Sequence, residues 1–502
     1  MDCRRCTPLR LRAAALLLSA LASPLALAQD PPQRQRISSR ALQGELRQRP
    51  QGVTVPAEIT QRGDRLVLQT ADAAVPVVNP GALGQNVRQL PVQVVVSDTP
   101  AGVEGVRIGA VKLQATERWR QLSPQQRSKF GNVDAAQRRL GAAAESALRP
   151  NATPADLGRL RQAVDATERQ VLSAYRSLPP SQRSEQRVLV EQHSELRRAK
   201  KSLYGLNRDD RYPPQAYERI YANSRGAFAL RVRGEEMPRC SAVLIGETLA
   251  LTNNHCILED LPSELEAVFD YEDDLDGRHL DSQVFPIADI RLTSEEERDN
   301  LDFVLLELGA NPQGALPGAV YPPQCLSLKP VRRDDPLYVI GFPLGGPRTV
   351  HDNSYVYFPF LASADEFAEI EILVRSEFAT LEDEQQSYID GKLKEFIDSY
   401  RPRTAADGSR YYEYVSVRFG DQPTIGADSD TYHGNSGSPV YSRRNHAVVG
   451  LLFDGQEDTS QPWSPGWRAH EAILPIGKVV ERLDTVAPDW RSDPRLCVRP
   501  AS

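Results

Sequence analysis

The sequence predicts a mostly β domain, a barrel or sandwich, over about residues 211–495. A helical N-terminal region precedes it and a helical insertion interrupts it. Three observations predict this. From about residue 215, short β-prone runs recur between turns: Phe228 to Val232, Ala242 to Ile245, Phe303 to Leu308, Leu337 to Phe342 and Val448 to Phe453. Over 116–210, apolar residues keep helical spacing instead. The block 364–400 sets Phe367, Ile370, Ile372, Leu373, Phe378, Leu381, Leu393 and Phe396 among many acids, and reads as helices inserted between strands.

The chain has 502 residues, enough for two or three domains. Its formal charge of −7 is mild and spread out, which points to neither nucleic acid nor an anionic membrane as partner. Residues 1–28 read as an export signal: Arg4, Arg5, Arg10 and Arg12, an apolar run from Ala13 to Ala22, then Ala26-Leu27-Ala28. The run is shorter than the roughly 20 residues a membrane span needs. The mature chain would then begin at Gln29, exported to the periplasm or beyond, with no span left. Cys3 and Cys6 fall in the leader. The remaining cysteines are Cys240, Cys256, Cys325 and Cys497, an even number that argues for two disulfides in an exported chain. Three pairings are open.

Residues 29–50, rich in Gln, Arg and Pro, are expected to be disordered. Residues 53–115 hold β-prone runs such as Arg65 to Leu68 and Val92 to Val96. Thr153, Pro154 and Asp156 make a helix start. Leu157, Leu160, Val164, Val171 and Tyr175 continue it, Pro179-Pro180 breaks it, and Leu189, Leu196 and Leu203 resume it. This helical hairpin carries nothing that suggests chemistry. Its apolar stripe must bury against something, and the barrel and the insertion are the candidates. The region 29–210 is therefore expected to pack on the β domain, as a pro-region or a permanent brace.

Three short motifs carry chemistry. Acyl transfer by a serine needs an exposed hydroxyl, an imidazole to take its proton, a buried carboxylate to orient that imidazole, and backbone N–H groups aimed at the developing oxyanion. Gly434-Asn435-Ser436-Gly437-Ser438-Pro439-Val440 suits the first and last needs. Its glycines permit a sharp turn, and the N–H groups of Gly434 and Ser436 can share one oxyanion hole. The Pro and strand that follow argue against an α/β-hydrolase elbow. Leu249-Ala250-Leu251-Thr252-Asn253-Asn254-His255-Cys256 supplies the imidazole, whereas His193, His279, His351, His446 and His470 sit in no comparable context. Asp302 opens the apolar run Phe303 to Leu306, where a carboxylate needs a partner to offset desolvation. Asp299 is its rival.

In this order the motifs resemble trypsin-like serine peptidases of the chymotrypsin-like double β-barrel, in particular the bacterial branch related to glutamyl endopeptidases. The resemblance covers roughly 215–490 and implies a triad of His255, Asp302 and Ser436 in an endopeptidase acting on proteins or peptides without cofactor or metal. It implies a Cys240–Cys256 bridge in the histidine loop, which leaves Cys325 with Cys497. Ile340-Gly341-Phe342-Pro343-Leu344-Gly345 resembles a turn of the second barrel in this branch. Asn435 stands where animal relatives carry Asp, and cannot form the ion pair with a new N-terminus that activates their zymogens. Phe453 stands where many relatives have a small residue in the cleft-lining strand. Phe453-Asp454-Gly455 also resembles a dipeptidyl-peptidase family with the same triad order, so an exopeptidase is an alternative, as is a non-catalytic binding protein on the same barrel. Asp430, six residues before Ser436, and Asp454 are candidate substrate-binding acids that would select Lys or Arg. His433 resembles a substrate-contacting histidine of glutamyl-specific relatives at an imperfect match. The acidic run Asp270, Glu272, Asp273, Asp274 and Asp276 reads as a solvated hairpin turn, with a calcium loop as the alternative.

Overall fold

The structure is a computed structural model. It describes residues 37–501 except 50–52, 63–64, 71–72, 81–82, 84–89, 98–104, 184, 205–210, 217, 258–259, 275, 295–300, 379–385, 430, 432–433 and 456–469. The leader expected at 1–28, with Cys3 and Cys6, lies outside the described residues. So do Asp299, Asp430 and His433.

The N-terminal region begins with a helix, Ser39–Gln48, where disorder was expected. Ser38 Oγ accepts the Ala41 N–H at 3.1 Å, and Leu42 and Leu46, four residues apart, are buried. A side-chain cap and one apolar pair on a single face anchor a segment whose composition alone reads as disordered. A five-stranded antiparallel sheet follows, in the spatial order Ala74–Pro76, Arg65–Gln69, Val53–Arg62, Val92–Ser97, Arg107–Leu113. Along Val92–Ser97 burial alternates, with Val92, Val94 and Val96 facing inward.

Helices then run from Gln114 to Tyr204, the longest being Gly131–Ala147, Pro154–Arg176 and Arg187–Tyr204. Thr153 closes a capping box with Asp156 at the start of Pro154–Arg176. Leu160, Val164, Val171 and Tyr175 of that helix share one core with Leu189, Leu196 and Leu203 of the next, over the sheet. The core also takes in Ile372, from the insertion helix Ala364–Phe378. Around this apolar contact lies a polar one. His193 Nδ1 meets Ser376 Oγ at 3.0 Å, and Arg176 pairs with Glu369 at 2.8 Å. Arg197 pairs with Asp334 at 3.2 Å, and Lys201 with Asp428 at 3.1 Å. The N-terminal helices thus pack on both the insertion and the second barrel.

The first barrel closes from six antiparallel strands: Ala227–Val232, Cys240–Leu244, Leu249–Thr252, Phe303–Leu308, Gln283–Ser294 and Leu265–Phe269, the last pairing back to the first. The second barrel is also six-stranded. Pro336–Gly341, Thr349–Phe358, Ile425–Asp428, Glu471–Pro475, Val448–Asp454 and Pro439–Ser442 form a ring that closes between Pro439–Ser442 and Pro336–Gly341. Alternating inward residues fill each barrel. The Cys325–Cys497 disulfide ties the chain end to this barrel, where Leu326–Ser327 and Val498–Arg499 pair in parallel. The insertion adds helices Ala364–Phe378 and Gln386–Asp398, and a small sheet of Leu361–Ser363, Arg410–Ser416 and Tyr400–Thr404.

The acidic run divides in two. Asp274 Oδ1 accepts the N–H groups of Asp276 and Arg278 in a turn, as expected of a hairpin. Glu272, expected in solvent, is 1% exposed and takes the buried Arg348 guanidinium at 2.5 Å, while Asp270 takes Arg225 at 3.2 Å. An arginine between the barrels draws these carboxylates inward.

Candidate active site

The histidine and aspartate loops leave adjacent strands of the first barrel. Thr252 pairs with Val304, so His255, three residues on, and Asp302, two residues before, meet at the same barrel end. His255 Nδ1 lies 2.6 Å from Asp302 Oδ2. The other carboxylate oxygen accepts the N–H groups of Asn254 at 2.8 Å and His255 at 3.1 Å. Asn253 Nδ2 donates to the Asp302 carbonyl at 2.8 Å. Asp302 is thus fixed by three donors around its carboxylate and one at its backbone. A proton held on Nδ1 leaves Nε2 of His255 free to act as a base.

The serine turn enters from the second barrel, just before Pro439–Ser442. Gly434 has φ +93° and Gly437 φ +79°, left-handed conformations that favour glycine. A Cβ on Gly437 would fall 2.1 Å from the Ser241 carbonyl oxygen, and one on Gly434 2.6 Å from that of Phe342. Ser241 ties the turn to the first barrel. Its N–H donates to the Ser436 carbonyl at 2.8 Å and its Oγ to the Gly434 carbonyl at 2.9 Å, while Oγ accepts the Phe342 N–H at 3.2 Å. Cys240 beside it is bridged to Cys256 beside His255. One strand therefore anchors both loops. Nothing local in the sequence marks Ser241, because its partners lie on the distant serine turn.

Asp454 lies at the end of the strand Val448–Asp454. Its carboxylate pairs with Arg418 at 3.1 Å, and Phe453 stacks edge-on to Phe419, both partners coming from the tail of the insertion. This weakens Asp454 as an open acid for a basic substrate side chain. Cys240, His255 and Cys256 place possible ligand atoms within 4.8 Å of one another, but both sulfurs are spent on the disulfide. A cavity of about 690 Å³ lies elsewhere, between the N-terminal helices and the second barrel, lined by Glu168, Lys200, Arg333 and Asp334, which pair among themselves. Burial, the largest influence on each, holds His193 down at about 3 and His470 at about 4.

The two six-stranded barrels, with these loops between them, make this a chymotrypsin-like double barrel carrying helices at its N-terminal side. Residues 240–451 match the family model of the trypsin-like peptidase domain. Among solved structures, a protease from M. tuberculosis in its active form is 13% identical, with 54% of this chain and 85% of that chain covered and a TM-score of 0.31. A scabies mite inactivated protease paralogue is 14% identical, with 55% and 95% covered and a TM-score of 0.33. No curated protein matches the chain. Among the described residues no helix is long and apolar enough to cross a membrane.

Proposed function

We propose that the chain is an exported serine endopeptidase that cleaves peptide bonds through an acyl-enzyme on Ser436. The observation that carries this reading is the Asp302 carboxylate receiving His255 Nδ1 at 2.6 Å, on a barrel whose strand at Ser241 also holds the serine turn. Ser436 Oγ attacks the scissile carbonyl carbon while His255 Nε2 takes the hydroxyl proton. The N–H groups of Gly434 and Ser436 receive the oxyanion. The C–N bond breaks as His255 returns that proton to the leaving amine, and water then hydrolyses the ester by the same route. Export is supported by the leader-like first 28 residues and by the two disulfides.

The test is labelling of the mature protein with a fluorophosphonate, together with turnover of a peptide substrate. Ser436→Ala and His255→Ala should each abolish both while leaving the fold intact. Undiminished activity in either variant overturns the assignment.

One observation favours a narrower second reading. Arg418 and Phe419 lie on Asp454 and Phe453, so the insertion borders the strand expected to line the cleft. A cleft narrowed there would favour chain ends, as in an exopeptidase. Mass spectrometry of the products from a long unstructured polypeptide separates the two: internal cuts for an endopeptidase, stepwise release of short N-terminal fragments for the alternative.

A further inference from the structure

Asn435, next to the proposed nucleophile, is wholly buried, and His351 is 1% exposed. Asn435 Nδ2 lies 3.3 Å from His351 Nε2. On its other side the amide rests against Gly341, where a Cβ would fall 2.1 Å from Asn435 Oδ1 and 2.2 Å from Ser438 Oγ. The Ser438 N–H donates to the Asn435 carbonyl at 2.9 Å and closes the turn that presents Ser436. The Asn435 side chain therefore fills a slot between Gly341 and His351, and its backbone lies between the two proposed oxyanion donors.

The slot can be filled without charge. An amide and an imidazole each offer a donor and an acceptor, so the pair needs no net charge. A carboxylate buried at residue 435 would need a cation beside it; the amide does not. The strand that carries His351 is held by the uncut chain. His351 pairs in register with Val339 on one side and with Arg211 on the other. Arg211–Tyr212 is the short strand that follows the N-terminal helices. An internal segment thus clamps the strand that holds the imidazole.

We infer that His351 is a positioning residue which, through Asn435, holds the serine turn and its oxyanion donors in the catalytic conformation without a newly cut N-terminus. The inference rests on the serine-peptidase reading.

Two variants test it. His351→Leu removes the partner; His351→Gln keeps an amide that can meet Asn435. Each is measured for kcat, KM and fluorophosphonate labelling rate per correctly folded molecule, with folding checked by near-UV circular dichroism. His351→Leu should lower kcat and labelling on the order of 10²-fold, the scale of a lost oxyanion donor, with KM little changed. His351→Gln should recover most of that loss. A folded Leu variant with unchanged kcat, or a folded Gln variant no better than Leu, overturns the role. If Leu does not fold, the Gln variant decides: activity near wild type supports the role, and a folded inactive protein overturns it. Intact mass adds a second arm. The mature chain, uncut between 204 and 227, should be fully active, and activity that appears only after a cut there overturns the inference. A wild-type chain that never labels defeats the peptidase reading instead.

Discussion

The Ser241 N–H donates to the Ser436 carbonyl at 2.8 Å, joining the two barrels at the backbone of the proposed nucleophile. The Ser241 hydroxyl adds a second joint, to Gly434, and is wholly buried. Ser241→Ala would keep the first joint and lose the second, stranding the Phe342 N–H and the Gly434 carbonyl. Leaving buried polar groups unmet costs about 1–3 kcal/mol. The variant should melt at lower temperature and show a reduced kcat, because Gly434 is one of the two proposed oxyanion donors. Unchanged kcat at a temperature where the protein is folded would show that the turn holds its shape without this contact.

The two disulfides should separate function from stability. Cys325–Cys497 spans 172 residues, far from His255 in sequence, and constrains the unfolded chain by about 3–5 kcal/mol in the chain-entropy model. Cys325→Ala with Cys497→Ala should lower the melting temperature and leave kcat near wild type at 25 °C. Cys240→Ala with Cys256→Ala should lower kcat as well, since that bridge links the Ser241 strand to the His255 loop. Equal effects of the two double variants on kcat would contradict this division.

The sequence showed the two loops of the His255–Asp302 pair because a histidine after Thr252 and an aspartate before Phe303 end adjacent strands, a relation local enough for motif reading. The helix Pro154–Arg176 was legible for a similar reason: Thr153 and Asp156 mark its start within four residues. Ser241 and His351 were not legible. Each acts through a partner 84 or more residues away, Ser241 on Gly434 and Ser436, His351 on Asn435, and nothing local distinguishes a buried serine or histidine on a strand. The helix Ser39–Gln48 was hidden for the opposite reason. Polar composition masked one leucine pair whose burial depends on the sheet beside it.

Stability should fall in acid through two buried histidines. Burial lowers His193 to about 3 and His470 to about 4, against an ordinary value near 6.5. The unfolded chain binds a proton at each site as pH drops below about 6.5, and the folded chain does not until the lower value is reached. Their contribution is therefore full above pH 6.5 and is lost progressively toward pH 3–4. His193→Gln should flatten the dependence of melting temperature on pH in that window. A curve parallel to wild type would show that His193 does not titrate there on unfolding.

Arg418 should control access to Asp454. If Asp454 borders the cleft, Arg418→Ala removes a cation that competes with a basic substrate side chain for its carboxylate. The variant's kcat/KM for peptides with Lys or Arg near the cut should rise relative to matched neutral peptides. A specificity profile identical to wild type would remove Asp454 from the substrate site.

The N-terminal region should act as a permanent brace. Its core includes Ile372 of the insertion helix, and Ser376 of that helix meets the buried His193. Removing residues 29–210 would expose Ile372 and take Arg176 from Glu369, Arg197 and Lys200 from Asp334, and Lys201 from Asp428, leaving Arg333 to serve both Glu369 and Asp334. Asp428 ends the strand Ile425–Asp428, eight residues before Ser436, so the loss would reach the segment leading to the proposed nucleophile. The chain 211–502 should therefore unfold at lower temperature than the mature chain and gain no turnover of a small peptide. A gentler variant isolates the ionic part. Arg197→Met leaves the apolar contact and removes one of three cations around Asp334, which keeps Lys200 and Arg333, so the cost should fall well below the ~3 kcal/mol of a fully broken buried pair. If 211–502 instead matched the mature chain in stability, the brace would fail. If it kept its fold and turned over substrate faster, the region would be an inhibitory pro-region.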